Sequence, residues 1–133
     1  MAPADDILIV TNPEVSAVRD ADRVIGLIEA ENKGPARLIL NRLKIDAMRK
    51  GDMLSPDDVT DILAIKLIGI VPEDEGVVSA SNSGTPVALS ETSRSGQAFN
   101  NIARRLCGEE VPFMSLESNG GLLQRLGRIF GGR

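Results

Sequence analysis

The sequence predicts an α/β domain built on a thin, mostly parallel, doubly wound sheet. Short β-branched apolar runs, the mark of strands buried on both faces of a parallel sheet, recur at Ile7–Thr11, Arg37–Asn41 and Lys66–Val71. Amphipathic or well-capped helical segments alternate with them, as βαβ units require. At 133 residues, 42% apolar and 26% charged, the chain has the size and composition of one ordinary hydrophobic core.

Each element has its own signal. Asn12 and Pro13 stop the first strand. From Glu14 to about Asn32, Val15, Val18, Ala21, Ile25 and Ile28 recur at helical spacing opposite Arg19, Asp22, Arg23 and Glu29. Gly34-Pro35 ends that helix. After the second strand, residues 42–54 are charged and break at Gly51. Ser55, Pro56, Asp57 and Asp58 form a helix start, with Ser as N-cap, Pro in the first turn and acids against the dipole. The third strand closes at Pro72, a short helix is expected over 74–83, and Pro86–Leu89 reads as a small strand. Ala98, Ile102, Ala103 and Leu106 share one face of a helix over 93–107, which places Cys107 near that face as a buried, inert thiol.

Composition removes several chemistries. With no His, the chain holds neither a Ser-His-Asp nor a Cys-His site, and no His-ligated metal. One Cys makes no internal disulfide. No Trp or Tyr is available for base stacking. The net charge of −4 conceals an asymmetry: residues 119–133 carry three arginines and no acid, whereas the other 118 residues carry 12 basic and 19 acidic side chains. An acidic body argues against nucleic acid as a partner. Residues 1–6 lack the regions of a signal peptide, and no apolar run reaches the ~20 residues of a membrane span.

The basic end has a pattern of its own. At about 100° per residue, Leu122, Leu123, Leu126, Ile129 and Phe130 fall within an arc of roughly 120°, and Gln124, Arg125 and Arg128 lie outside it. A short helix with one apolar face, cationic polar residues and a Ser118-Asn119-Gly120-Gly121 lead is the pattern of an interfacial membrane helix. The expected organisation is an α/β body over 1–108, a linker over 109–120 and an amphipathic helix over 121–133.

Several stretches together resemble the MinD branch of the MinD/ParA family of deviant Walker A ATPases. They are Thr11-Asn12-Pro13-Glu14 with Val18-Arg19-Asp20-Ala21-Asp22-Arg23, then Lys50-Gly51-Asp52-Met53-Leu54-Ser55, Asp61-Ile62-Leu63, Ile70-Val71-Pro72-Glu73-Asp74, and the tail from Gly120. The resemblance covers nearly the whole chain and implies the C-terminal half of a doubly wound P-loop NTPase-like sheet. No Gly-x-x-x-x-Gly-Lys-[Ser/Thr] loop occurs in it, so no catalytic or metal-binding residue is assigned and the chain alone is expected not to hydrolyse ATP.

The resemblance implies roles at three places. Asn41, Arg42, Pro72, Glu73 and Asp74 would line the base pocket for ATP or ADP, held with Mg in the complete family protein. Glu14, Ser16, Arg19, Asp20 and Asp22 would face the partners MinC and MinE and the homodimer interface. Leu122, Leu123, Arg125, Leu126, Arg128, Ile129 and Phe130 would bind anionic lipids, which makes the protein cytoplasmic and peripheral on the inner face of the plasma membrane or its plastid equivalent. Function follows as ATP-dependent dimerisation, reversible membrane binding and recruitment of partners for division-site placement. The competing reading is a non-enzymatic, membrane-tethered α/β interaction module.

Overall fold

The structure is a computed structural model that describes residues 4–116; the expected helix over 121–133 lies outside the described residues. Three parallel strands, β1 (Ile7–Thr11), β2 (Ala36–Leu43) and β3 (Lys66–Pro72), stand in the order β1-β2-β3. α1 (Val15–Ala30) connects the first pair; α2 (Ile45–Lys50) and α3 (Pro56–Leu63) connect the second. α4 (Glu75–Ser83) and α5 (Arg94–Leu106) follow β3.

The core has two sides. Leu38 and Leu40 of β2 and Ile9 of β1 meet Val18, Ala21, Ile25 and Ile28 of α1 and Val59 and Leu63 of α3. On the other face Ile39, Ile68 and Val71 meet Ala98 and Ile102 of α5. Gly69 makes that contact close, because a Cβ there would fall inside the Ile102 side chain. α3 starts as its sequence dictates: the Ser55 hydroxyl accepts from the Asp58 N–H, and the Asp58 carboxylate accepts from the Ser55 N–H.

Several expectations need correction. β1 is not buried on both faces; Leu8 and Val10 are exposed, because β1 is the edge strand here and α5 does not reach over it. Val15 is exposed too, since it sits at the first position of α1, ahead of the turn that meets the sheet. The charged stretch after β2 forms the short helix α2, closed by Gly51 at φ 81°. Pro86–Leu89 is not a strand. Val87–Leu89 is a 3-10 turn whose carbonyls are taken locally and by Asn100 Nδ2, which donates to Ala88 O. Cys107 is exposed, because it caps α5 where the helix leaves the sheet.

Beyond α5 the chain turns back as a strap over residues 111–116, within the expected linker. Arg105 holds it: Nε donates to Val111 O at 2.9 Å, Nη2 to Pro112 O at 3.0 Å, and Nη1 to Ile68 O on β3 at 2.9 Å. The same guanidinium lies 4.2 Å from the centroid of the Phe113 ring. Arg94 Nη2 donates to Ser115 O, and Met114 packs against the α5 side of the core.

The close approach of α5 to β3 is testable. Gly69→Ala is expected to lower stability by about 1–3 kcal/mol through overpacking. Ile102→Val in the Gly69→Ala background is expected to cost less than the two single changes added together. Urea midpoints of the four proteins measure this; strict additivity would mean that the helix–strand gap is not what Gly69 protects.

Candidate functional site

The carboxyl ends of parallel strands in an open α/β sheet are where ligands bind. Here β2 and β3 bring Asn41, Arg42, Pro72, Glu73 and Asp74 to that end together. β2 carries one residue more than β3 between the pairs Leu40↔Ile70 and Leu43↔Pro72. This bulge holds Asn41 and Arg42, with Arg42 in the left-handed region at φ 56°. Such bulges turn side chains out of the ladder and occur beside functional sites. The backbone closes again where Glu73 N–H donates to Leu43 O at 2.9 Å.

Arg42 and Glu73 pair across the bulge, with Nη2 to Oε1 at 3.1 Å, and Lys44 Nζ lies 3.4 Å from the other Glu73 oxygen. The Arg42 hydrogen bond leads in holding the Glu73 carboxyl below its ordinary range, with Lys44 adding to it. Asn41 stays half-buried and offers both an amide donor and a carbonyl acceptor.

Asp74 has a different employment. Its Oδ1 accepts from Gly76 N–H at 2.8 Å, capping α4. Its Oδ2 accepts from the Ser93 hydroxyl at 2.6 Å and from Ser95 N–H at 3.4 Å, while Ser93 caps α5 through Gly96 N–H. One carboxylate therefore joins the starts of two helices. The buried Ser95 hydroxyl donates to Pro72 O at 2.9 Å, which ties the same loop to β3. These bonds, the Ser93 hydroxyl first, lower the pKa of Asp74.

Beside this loop lies an open groove of about 490 Å³ that Pro72 and Glu73 share with Lys44, Lys50, Arg94, Asp46 and Asp52. Asn41, Arg42 and Asp74 do not line it. The sequence reading missed Lys44, Lys50 and Arg94, which only tertiary proximity brings to this end of the sheet. Three cations and three acids give the groove no single sign. Among the described residues no group of three His, Cys, Asp or Glu could hold a metal ion. No helix among them is long and apolar enough to cross a membrane.

The second candidate surface is the outer side of α1. Glu14, Ser16, Arg19, Asp20 and Asp22 are all exposed, and Asp20 and Arg23 form an exposed ion pair at 3.7 Å. Val24 and Leu27 stand exposed on the same helix, so the surface offers apolar area as well as charge. The third candidate set, Leu122 to Phe130, lies outside the described residues.

No protein-family model matches the chain. Over 135 aligned residues it is 47% identical to the septum site-determining protein MinD of Synechocystis sp., which takes in 99% of this chain and 51% of that protein. MinD of Bacillus subtilis is 46% identical over 132 residues, with 98% and 49% covered. The chain thus spans about half the length of the curated relatives it matches. MinD in a MinC:MinD cell-division complex of Aquifex aeolicus superposes with a TM-score of 0.82 at 48% identity, over 85% of this chain and 47% of that one. MinD complexed with Mg-ADP from Pyrococcus horikoshii superposes at 0.66 and 27% identity, over 77% and 41%.

Asp74 supports this end of the sheet whatever the site binds. Asp74→Ala is expected to cost roughly 1–2 kcal/mol near neutral pH, the value of a good helix cap. Because the folded-state pKa is depressed, that contribution is present above the unfolded value and is lost as pH falls through the folded one. The gap between wild type and variant is therefore expected to close as pH falls below the ordinary carboxylate value and through the lowered folded-state one. Urea unfolding across that range checks it; a constant gap would mean the ionised carboxylate is not the cap.

Proposed function

We propose, from the premise that this chain is homologous to the C-terminal half of the MinD proteins, that it forms the base-binding, partner-binding and membrane-attaching half of a MinD-like cell-division regulator. The observation that carries the proposal is the extent of the homology. At 99% coverage it runs through the strand ends, the α1 acids and the tail, three surfaces with separate physical logic.

At the strand ends, the Asn41 amide has the donor and acceptor needed for a bidentate contact with an adenine edge. The loop from Pro72 to Asp74, held by Ser95 and Ser93, is the rigid wall on the other side. This supports ATP or ADP as the ligand, with Mg, of the kind present in the Pyrococcus horikoshii protein. The donors present fit a base and not a triphosphate, because no lysine-bearing phosphate loop occurs in the sequence. The residues of this chain therefore orient the nucleotide; hydrolysis needs charge-stabilising groups that the chain does not supply. That same observation favours, for the chain alone, action as a binding module.

On α1, exposed acids beside Val24 and Leu27 suit a partner with a basic and apolar surface. MinC, seen with the Aquifex aeolicus relative, is the proposed partner, with MinE as a second. In an equilibrium titration of the full chain with Aquifex aeolicus MinC, Asp20→Ala or Asp22→Ala is expected to weaken binding about tenfold, or ~1.4 kcal/mol. Stability is expected to change by less than about 0.5 kcal/mol. Undiminished affinity in both variants would remove α1 from the interface.

At the tail, apolar residues on one arc and arginines outside it support reversible attachment to an anionic membrane. Near such a surface each cation contributes about 1 kcal/mol, so one tail binds weakly and two on a dimer bind far better. A peptide of residues 119–133 fused to a dimerising coiled coil is expected to become helical on anionic vesicles and to be released by salt. Leu123→Glu is expected to abolish flotation, whereas Gln124→Glu costs little. A dimer that stays unstructured and unbound at low salt would overturn the membrane assignment.

A further inference from the structure

The strap ends at a fixed point. Arg94, the first residue of α5, donates from Nη2 to Ser115 O and so holds the strap beside the start of that helix. Ser93, the preceding residue, lines an open groove of about 380 Å³ between α4 and the Val87–Leu89 turn. Ala80 and Ser83 of α4 border it with Pro86, Val87 and Leu89, and no charged side chain lines it. Leu89, 73% exposed, is the most exposed large apolar side chain among the described residues. Three of the groove's serine hydroxyls are committed within the body: Ser83 donates to Ala80 O, Ser93 donates to Asp74, and Ser90 accepts from Ser93 N–H. What the groove offers a partner is therefore chiefly apolar surface. Its surroundings have one sign, since residues 73–93 carry Glu73, Asp74, Glu75 and Glu91 and no base.

We propose, resting on the amphipathic reading of the tail above, that this groove is the docking site of the chain's own residues 121–133 when no lipid is present, and that docking there competes with membrane binding. Chemistry, reach and tethering select this occupant. The apolar arc of Leu122, Leu123, Leu126, Ile129 and Phe130 matches an uncharged groove, and Arg125, Arg128 and Arg133 match its acidic surroundings. Leu116 to Gly120 span at most about 17 Å from an anchor beside the groove, enough to bring Leu122 into it. So short a tether makes docking intramolecular, at an effective concentration in the millimolar range, so a weak contact suffices. One apolar face cannot lie in the groove and in lipid at once. Docking therefore holds back a single tail, and the pairing of two tails must first overcome it.

Other apolar surfaces of the body suit the tail less well. Val24 and Leu27 belong to α1, on the opposite face of the sheet from α5 and the strap. Two helix layers of about 10 Å each separate the two outer surfaces, more than the tether reaches. Leu8 and Val10 lie over β1, with α5 between them and a strap that is bonded to β3. A tail from a second copy would meet the same groove without the tether and without the gain in effective concentration.

The test is amide hydrogen exchange of the full 133-residue chain without lipid, set against the free peptide of residues 119–133. With about nine chains in ten docked, exchange over residues 122–130 is expected to be about tenfold slower in the chain than in the peptide. Ala80→Gln, which fills the groove with a neutral side chain, is expected to remove the difference. Leu89→Ser, the milder change, and Glu91→Gln are expected to reduce it, while Leu27→Ser and Val10→Ser leave it unchanged. Circular dichroism confirms the fold of each variant. Flotation on vesicles of phosphatidylglycerol and phosphatidylcholine is the second readout. Only about one chain in ten has its tail free, so Ala80→Gln is expected to raise apparent affinity about tenfold without adding charge. Equal exchange in chain and peptide, indifference of both readouts to Ala80→Gln and Leu89→Ser, or protection lost in Leu27→Ser or Val10→Ser would overturn the proposal. So would protection that grows with protein concentration, which would seat the tail of a second copy. Exchange is read without lipid, so a tail that is protected but never floats would overturn the membrane assignment alone, and one that floats but is never protected would overturn docking alone.

Discussion

The covering of β2 on both faces is the constraint from which the rest of the body follows. Leu38 and Leu40 are fully buried toward α1 and α3, and Ile39 is 8% exposed toward α5. Burying one such side chain is worth about 1.5–3 kcal/mol, so a strand with three of them in succession belongs at the centre of a sheet. Its neighbours on both sides are parallel to it, and parallel neighbours need crossovers. The right hand of those crossovers sends α1 and α3 to one face. The other face is left for α5, which is admitted because Gly69 has no side chain to oppose Ile102.

The same constraint gathers the candidate site. Once the three strands run in one direction, every loop that leaves a strand end leaves at one end of the sheet. The loop after β2 bulges at Asn41 and Arg42, and the loop after β3 meets it through Glu73. Polar groups freed from the ladder there must be satisfied locally. Asp74 and Ser95 do this for α4, α5 and Pro72 at once. Rigidity at this corner therefore comes from hydrogen bonds that any ligand would find already made. A carboxylate already committed to Ser93 and Gly76 positions the loop, beside the Asn41 amide proposed above for recognition.

Much of this was legible in the sequence where the cause was local. Ser55-Pro56-Asp57-Asp58 carries its cap in four residues, and the capping box is there. The apolar spacing of Val18, Ala21, Ile25 and Ile28 fixed the buried side of α1. The failures share a cause. Leu8 and Val10 read as buried because their residue types are written for burial, whereas exposure depends on which strands stand beside β1. Pro86–Leu89 read as a strand because composition cannot say whether a free strand edge is near. Asn41 and the Pro72–Asp74 loop were found by resemblance, but the bulge, the Arg42–Glu73 pair and the double capping by Asp74 join residues up to 31 apart and leave no spaced motif. Lys44, Lys50 and Arg94 were missed for the same reason.

Charge and the strap bear together on the tail attachment proposed above. The 118 residues before the basic end carry seven more acids than bases, so an anionic surface repels the body as it attracts residues 119–133. That repulsion decays over about 8 Å at physiological salt. Arg105 and Arg94 fix the chain against the body as far as Ser115. The five residues from Leu116 to Gly120 reach at most about 17 Å. That reach exceeds the screening length by about twofold, so in the proposed attachment the acidic body would stand clear of the lipid while the tail engages it. A shorter connection would set body and tail in opposition. A much longer one would dilute the second tail of a pair and lose the gain in effective concentration. Two arginines that spend their hydrogen bonds on backbone carbonyls of the strap would thus set the length on which the proposed attachment through paired tails depends.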